Sequence, residues 1–165
     1  MKVIQRANFQ MMWPVWTTPQ LLTWERNGVV LIGDAAHTLP PTSGQGLSQA
    51  LEDAECLSML LGHCLKHAYQ STDQSQTMTV KQAIRDAAKK YMEIRQPRIK
   101  SLLDLARRFE DKKRNLDIFE EYMMYLGLFI AGRLPAPSWL TEVYSYNISE
   151  EVNRVIASEI QSYPN

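Results

Sequence analysis

The sequence has few cysteines, no excess of charge of either sign and no long hydrophobic run. Only two of its 165 residues are cysteines, Cys56 and Cys64, which excludes a disulfide scaffold and favours a reducing compartment. Eighteen acidic residues balance eighteen basic ones, so the charge does not favour nucleic acid as a partner. The longest apolar run, residues 123–131, is far shorter than the roughly 18–20 residues of a spanning helix. These absences predict a cytoplasmic protein without a membrane span.

Most of the chain has apolar residues at helical spacing. From Leu47 the spacing predicts a long helix, and a second helical pattern follows a polar loop over residues 70–79. Pro97 interrupts the second pattern, so we expect a kink, or a break and restart, there. A charged connector is expected at residues 111–115 and a third helix over residues 118–130. Ser149, followed by two glutamates, predicts the capped start of a short last helix.

A single strand is predicted. The turn signal Asn27-Gly28 leads into four apolar residues, Val29 to Ile32, which favour a strand buried on both faces of a parallel sheet. Residues 1–28 lack helical spacing and are expected to be extended or irregular. Because one strand cannot satisfy its own backbone hydrogen bonds, we expect this chain to be part of a larger unit.

The segment after the strand has the features of a ligand site. Gly33 and Asp34 stand at the carboxyl end of the strand, where open α/β folds bind ligands, and an ionised carboxylate accepts hydrogen bonds from hydroxyl groups. Pro40-Pro41 is followed by residues 43–46 (SGQG), which open directly into the first long helix. Free amides at a helix start attract partial negative charge. The segment therefore offers two contacts to one ligand.

Residues 33–54 (GDAAHTLPPTSGQGLSQALEDA) resemble the second flavin-binding motif of the class A FAD-dependent monooxygenases, the p-hydroxybenzoate/salicylate hydroxylase-like family. Residues 91–98 (YMEIRQPR) are similar to the family's YExxRxPR stretch. The resemblance implies an α/β parent fold, of which this chain would be a mostly helical part with one or few strands. Residues 1–28 would come from the substrate-side region, and residues 29–165 would form the C-terminal part of the FAD-binding domain with a helical tail.

The resemblance also implies roles for individual residues. The Asp34 carboxylate would hold a hydroxyl of the FAD ribityl chain, and the Pro41 carbonyl would lie beside the flavin ring, a candidate catalytic position. Amides around Gly46, Leu47 and Ser48 would face the flavin N1–O2 edge and stabilise negative charge on reduced flavin. The remaining cofactor-binding positions are Gly33, Gly44 and Gln45. Two positions depart from the commonest pattern: Ser43 replaces a frequent glycine, which matters only where φ is positive, and Ser48 replaces a frequent asparagine.

The family's first motif, the G-x-G-x-x-G that binds the ADP half of FAD, is not in this sequence. We therefore expect this chain to be the C-terminal part of an enzyme whose N-terminal half is missing. The parent enzymes hydroxylate an organic substrate, aromatic or of polyketide or terpenoid type, with NADPH or NADH and O2. The alternative is a truncated, inactive helical remnant or interaction module. A weaker reading is a hydrolase that uses Asp34, His37 and a serine such as Ser48, although we expect His37 to support the loop from behind.

Two further groups have simpler interpretations. His63 and His67 stand four apart on a helix, a spacing that can chelate zinc, but a third ligand is not evident and a solvated helix face is expected. No metal is therefore predicted. Cys56 and Cys64 are expected to be reduced, inert core residues.

Overall fold

A computed structural model describes residues 18–70, 79–114, 116–135 and 144–162. Within these residues a short hairpin precedes four helices. The hairpin strands are β1 (Glu25–Arg26) and β2 (Val29–Val30), and the helices are α1 (Gly46–Gln70), α2 (Val80–Arg114), α3 (Ile118–Ala131) and α4 (Ile148–Ser162). The described chain is thus mostly helical with few strands, as predicted. None of its described helices is both long and apolar enough to cross a membrane.

The strand lies in a different setting from the predicted one. β2 pairs antiparallel with β1, and Glu25 stands opposite Val30. Asn27 and Gly28 have φ angles of 56° and 87°, the two positive values that a tight type I′ turn requires. Val29 is 65% exposed. The prediction of a parallel strand buried on both faces over residues 29–32 is therefore wrong, because the Asn-Gly turn pairs the segment with its immediate neighbour.

The core lies between α1 and α2, and α4 packs against α1. The face of α1 that enters the core differs from the predicted one at its beginning, where Leu47 and Leu51 are exposed and Gln49 and Asp53 are fully buried. The buried residues of α1 are Gln49, Asp53, Cys56, Leu60, Cys64 and Ala68. The buried face of α1 thus begins with two polar residues, whereas spacing predicted an apolar face that included Leu47 and Leu51.

Helix α2 continues without a break from residue 80 to residue 114 and contains Pro97 in its interior. Of the two alternatives predicted at Pro97, the break and restart is therefore wrong, and the kink stays a prediction. The connector predicted at residues 111–115 is also wrong, because residues 111–114 are helical. Tyr91, Ile99 and Leu103 are buried on either side of the proline. This packing against the rest of the core stabilises the helix and offsets the hydrogen bond that proline cannot donate.

The last two helices differ in how they are packed. Ile148 and Val152 of α4 are buried. The side chain that caps α4 is Asn147, whose Oδ1 accepts hydrogen bonds from the backbone nitrogens of Ser149 and Glu150; the predicted cap at Ser149 is wrong. Helix α3 has a capping box formed by Asp117 and Glu120. Most apolar side chains of α3 are at least half exposed: Ile118, Phe119, Tyr122, Met123, Tyr125, Leu126, Leu128, Phe129 and Ile130.

Candidate functional site

The motif loop begins at Gly33 and lies directly on helix α1. Residues 33–35 form a single 3-10 turn in which the amides of Ala36 and His37 donate to the Gly33 carbonyl at 2.9 Å. Gly33 has φ 56°, and a Cβ at this position would stand 3.2 Å from the Cβ of Ala50. Both the left-handed backbone and the close approach to α1 therefore require glycine.

The two aspartates of the motif have opposite environments. Asp34 is exposed, and its carboxylate makes no hydrogen bond or ion pair within the described residues. Asp53 is fully buried and accepts three hydrogen bonds. An exposed carboxylate without a protein partner is available to a ligand, whereas the buried one is already saturated. Of the two, only Asp34 fits a contact with a cofactor hydroxyl.

A second turn leads into helix α1. Residues 41–43 form another 3-10 turn, and its positive φ, 63°, falls on Gly44. Ser43 does not have a positive φ, and its side chain stabilises the turn. The hydroxyl donates to the Pro40 carbonyl at 2.7 Å and accepts from the Gln45 amide at 3.3 Å. Serine in place of the family's frequent glycine is therefore compatible with this turn.

The start of α1 presents amides that the helix itself does not use. The first hydrogen bond of the helix runs from the Gln49 amide to the Gln45 carbonyl at 2.9 Å, so the amides of residues 46–48 precede the bonded turns. Leu47 and Ser48 are exposed. The Ser48 hydroxyl donates back to the Gln45 carbonyl at 2.9 Å and so does not cover these amides. This donor set suits an electron-rich oxygen or nitrogen, such as the flavin N1–O2 edge.

Behind the loop, the Asp53 carboxylate holds three donors. Its Oδ2 accepts the Gly33 amide at 2.8 Å and lies 2.6 Å from His37 Nε2, and its Oδ1 accepts Arg95 Nε at 2.8 Å. His37 is 5% exposed and Asp53 and Arg95 are fully buried. Loop, helix α1 and helix α2 thus meet at one carboxylate.

Arg95 extends this contact along α1. Its NH1 donates to Glu52 at 2.5 Å, and its NH2 donates to both the backbone carbonyl and the side-chain oxygen of Gln49, at 3.2 and 2.7 Å. The Gln49 amide nitrogen in turn donates to Glu52 at 2.9 Å. Arg98 adds a second guanidinium 3.6 Å from Glu52. Two arginines therefore balance two carboxylates in the interior.

The electrostatics of this group favour its charged form. Burial by itself raises the pKa of Asp53, but the hydrogen bonds from His37, Arg95 and Gly33 outweigh burial and lower the pKa below its ordinary value. Burial likewise lowers the pKa of Arg95, and the Asp53 carboxylate reverses the effect and raises it. Both groups are therefore ionised near neutral pH.

Gln49, Glu52, Asp53 and Arg95 all lie within the two sequence motifs, but the sequence analysis predicted no role for them. Two patterns could have identified them. Gln49, Glu52 and Asp53 share one face of α1 at spacings of three and four residues. Arg95 falls in the four-residue series of Tyr91 and Ile99, so a charged residue stands in the middle of an apolar stripe and requires a buried partner.

His37 supports the loop from behind, as expected, and the arrangement of side chains does not support the hydrolase interpretation. Its Nε2 is engaged by Asp53, while its Nδ1 has no hydrogen-bond partner among the described residues. Ser48 is exposed and its hydroxyl is bonded to Gln45. The structure therefore brings His37 to a different acid from Asp34, and it does not bring His37 and Ser48 together as a base and a nucleophile.

A cavity of about 510 Å³ lies on the other side of the loop, between residues 18–24, residues 36–38 and α2. Trp24, Ile99 and Leu103 contribute to its apolar wall. Neither Asp34 nor any residue from 41 to 48 lines it. The predicted flavin contacts lie instead on exposed surface near the start of α1.

The histidine pair lies at the contact between three helices. His63 is half-buried, 3.9 Å from Glu159 of α4, and its ring centroid is 4.6 Å from that of His67. Lys90 of α2 also binds Glu159, at 2.6 Å. The expectation of a solvated helix face is wrong for His63, which packs at this junction. Within the described residues, no group of three or more potential ligands that could hold a metal is found.

Both cysteines are free and buried, as predicted. Burial raises the pKa of Cys56 to about 12 and also raises the pKa of Cys64. Thiols of this kind are scarcely ionised near neutral pH and are poor nucleophiles.

Comparisons with known proteins agree with the motif. The model of the FAD binding domain family matches residues 10–104. FAD-dependent monooxygenase penM of Penicillium crustosum is 36% identical over 85 residues, which are 52% of this chain and 17% of that protein. FAD-dependent monooxygenase ptmM of Penicillium ochrochloron is 35% identical over 85 residues, 52% of this chain and 18% of that protein.

A further relative is similar over more of the chain. Hispidin-3-hydroxylase of Neonothopanus nambi is 30% identical over 122 residues, which are 71% of this chain and 28% of that protein. The chain thus spans less than a third of the length of each of these three relatives. No solved structure matches. Since the family model covers more than half of the sequence, the chain belongs to the FAD binding domain family, and it is similar there to a region of class A FAD-dependent monooxygenases.

Proposed function

We propose that this chain is the C-terminal FAD-binding part of a flavin-dependent monooxygenase with an α/β parent fold, in which residues 29–165 form the C-terminal part of the FAD-binding domain. When bound, FAD supplies the redox chemistry, taking electrons from NADPH or NADH and activating O2. The substrate class is an organic molecule, aromatic or of polyketide or terpenoid type. The relatives named as FAD-dependent monooxygenases support the proposed flavin-dependent monooxygenase.

The observation that carries the proposal is the difference between Asp34 and Asp53. Asp34 is exposed and unpaired within the described residues, whereas Asp53 is saturated by protein donors. In this proposal Asp34 accepts a hydrogen bond from a ribityl hydroxyl. The amides of residues 46–48 stabilise negative charge at the flavin N1–O2 edge, and the Pro41 carbonyl lies beside the ring, on the face where oxygen reacts.

The test uses the affinity of the whole chain for flavins. Since every proposed contact is to the riboflavin part, FAD, FMN and riboflavin are expected to bind with similar affinity in a fluorescence titration, and ADP is expected not to compete. Asp34→Asn removes a charged acceptor and is expected to weaken all three by about tenfold. Asp104→Asn, on the exposed face of α2, is the matched control. Unchanged flavin affinity in Asp34→Asn would contradict the assigned role.

A second reading is favoured by one observation, the exposed apolar surface of α3. Beyond the glutamates of its first turn α3 is apolar, and a helix of that kind is usually buried in a larger assembly. In that reading the chain is a helical interaction module, and none of the three flavins binds. The flavin titration therefore separates the two readings.

A further inference from the structure

The two elements with the proposed flavin contacts are joined through one carboxylate. On one side, Asp53 Oδ2 holds the Gly33 amide at 2.8 Å and His37 Nε2 at 2.6 Å, which are the two ends of the loop that carries Asp34. Asp53 itself stands on α1, one turn beyond Gln49. The loop's own backbone bonds, from residues 36 and 37 to Gly33, shape the turn but do not attach it to the helix.

On the other side, Asp53 connects to the start of the helix through Arg95. Asp53 Oδ1 accepts Arg95 Nε at 2.8 Å, and Arg95 NH2 donates to the Gln49 carbonyl at 3.2 Å. Gln49 is the residue whose amide makes the first bond of α1, directly after the free amides of residues 46–48. A continuous set of hydrogen bonds therefore runs from the loop to the helix start.

We infer that Asp53 is a positioning residue for the flavin, which fixes Asp34 relative to the amides of residues 46–48 without touching the cofactor itself. The inference rests on the proposed function. It assigns to Asp53 a role in cofactor geometry that differs from the direct contact proposed for Asp34.

The chemistry of the site requires a carboxylate at this position. Asp53 faces three nitrogens, which belong to Gly33, Arg95 and His37. The Gly33 amide and the Arg95 guanidinium can only donate hydrogen bonds. A carboxylate is an acceptor at both oxygens. An asparagine has one oxygen and one NH2 group, so either orientation of its amide places a donor against the Gly33 amide or against Arg95. Asp53→Asn therefore keeps the shape of the side chain and breaks one arm of the connection.

Burial makes this connection rigid. Asp53, Arg95 and Gln49 are fully buried, so water does not replace a lost hydrogen bond without entering the core. His37 lies under Trp24, with ring centroids 5.3 Å apart, which holds the imidazole in place. Because an ionised carboxylate only accepts hydrogen bonds, the contact with Asp53 requires a proton on His37 Nε2.

The experiment compares Asp53→Asn, Asp34→Asn and Asp104→Asn in the whole chain with two readouts. The first is hydrogen exchange of the Gly33 amide in the protein without FAD. The second is FAD affinity, measured under conditions in which each variant is folded. A purely structural role of Asp53 would leave this affinity unchanged. Asp53→Asn is expected to accelerate Gly33 exchange and to weaken FAD binding, each by about tenfold or more. Asp34→Asn is expected to weaken FAD binding only, and Asp104→Asn to change neither.

The outcomes separate this inference from the proposed function. Two results would overturn the positioning role of Asp53. One is a wild-type exchange rate of the Gly33 amide in Asp53→Asn. The other is wild-type FAD affinity in Asp53→Asn while Asp34→Asn binds FAD weakly. If the unsubstituted chain binds no flavin, the proposed function fails and the positioning of a flavin fails with it, whatever the exchange at Gly33. Should Asp53→Asn not fold, nitrogen NMR of His37 in the unsubstituted protein decides. A proton on Nε2 near neutral pH supports the connection, and a proton on Nδ1 alone contradicts it.

Discussion

The carboxylate of Asp53 lies 2.8 Å from the backbone nitrogen of Gly33, although the two residues are twenty positions apart in the chain. This hydrogen bond holds the glycine at the point where the hairpin gives way to the motif loop. It explains in physical terms why the motif contains a second acid that is not exposed to a ligand. Of the two aspartates of the motif, Asp34 is exposed and without a partner among the described residues, and Asp53 binds the backbone beneath it.

Replacement of Arg95 by methionine is expected to be strongly destabilising. It would leave the Asp53 carboxylate fully buried and Glu52 largely buried, without the guanidinium that neutralises them. Breaking a buried ion pair from one side costs about 3–5 kcal/mol of unfolding free energy. The measurement is urea unfolding, with Arg107→Met as the control. Arg107 pairs with Asp104 at 3.8 Å on the exposed face of α2, so its loss should cost less than about 1 kcal/mol. Equal losses in the two variants would contradict the importance of the buried pair.

Alanine substitution at two glycines is expected to separate backbone strain from packing. Gly33 and Gly44 have nearly the same positive φ, 56° and 63°, so each alanine should cost about 1–2 kcal/mol from the backbone. A Cβ at Gly44 would meet nothing within 4 Å, whereas one at Gly33 would stand 3.2 Å from the Cβ of Ala50. Gly33→Ala should therefore lower the free energy of unfolding more than Gly44→Ala, as measured by denaturant titration. The reverse order would show that the loop does not lie against α1.

Stability is expected to fall on mild acidification because of His63. Burial, and after it the positive charges of His67 and Lys90, lower the pKa of His63 from 6.5, while Glu159 opposes them and Lys66 adds to them. The folded protein thus binds this proton less well than the unfolded chain. The contribution of His63 to stability is present above pH 6.5 and is lost as the pH falls below that value and through the lower folded pKa.

Two variants with opposite expected effects check this prediction. The melting temperature of each protein is compared at about pH 7.5 and about pH 5. His63→Gln should show a smaller decrease than the unsubstituted protein, because it removes the titrating group. Glu159→Gln should show a larger one, because it removes a neighbouring charge that raises the pKa of His63. Identical decreases in all three proteins would exclude His63 as the source.

Some elements were predictable because their causes are local in sequence. Helix α1 begins where the SGQG turn ends, and the spacing of apolar residues predicted the cores of α1, α2 and α3 as helices. The family was also recognisable from residues 33–54 and is confirmed by the match over residues 10–104. The individual flavin contacts of Asp34, Pro41 and the amides of residues 46–48 stay predictions.

Other features escaped prediction because a local pattern does not record partners that are distant in the chain. The spacing of α2 places Arg95 in an apolar stripe, but it does not say which residues are its partners, since those at residues 49, 52 and 53 are brought against it only by the fold. Proline at residue 97 predicts a break until the flanking residues of α2 are packed. In the same way, spacing alone predicted an apolar face at the start of α1, whereas the face that enters the core begins with Gln49 and Asp53.

The amino-acid sequence by itself determined the helices, the tight Asn-Gly turn, the free cysteines and the membership of a flavin-binding family, since each follows from the types and spacing of neighbouring residues. Only the tertiary structure decided which acid of the motif is exposed and which is buried. It did so because a carboxylate can be taken from water when donors surround it. The donors to Asp53 come from the motif loop and from α2, and they meet only when the chain has folded.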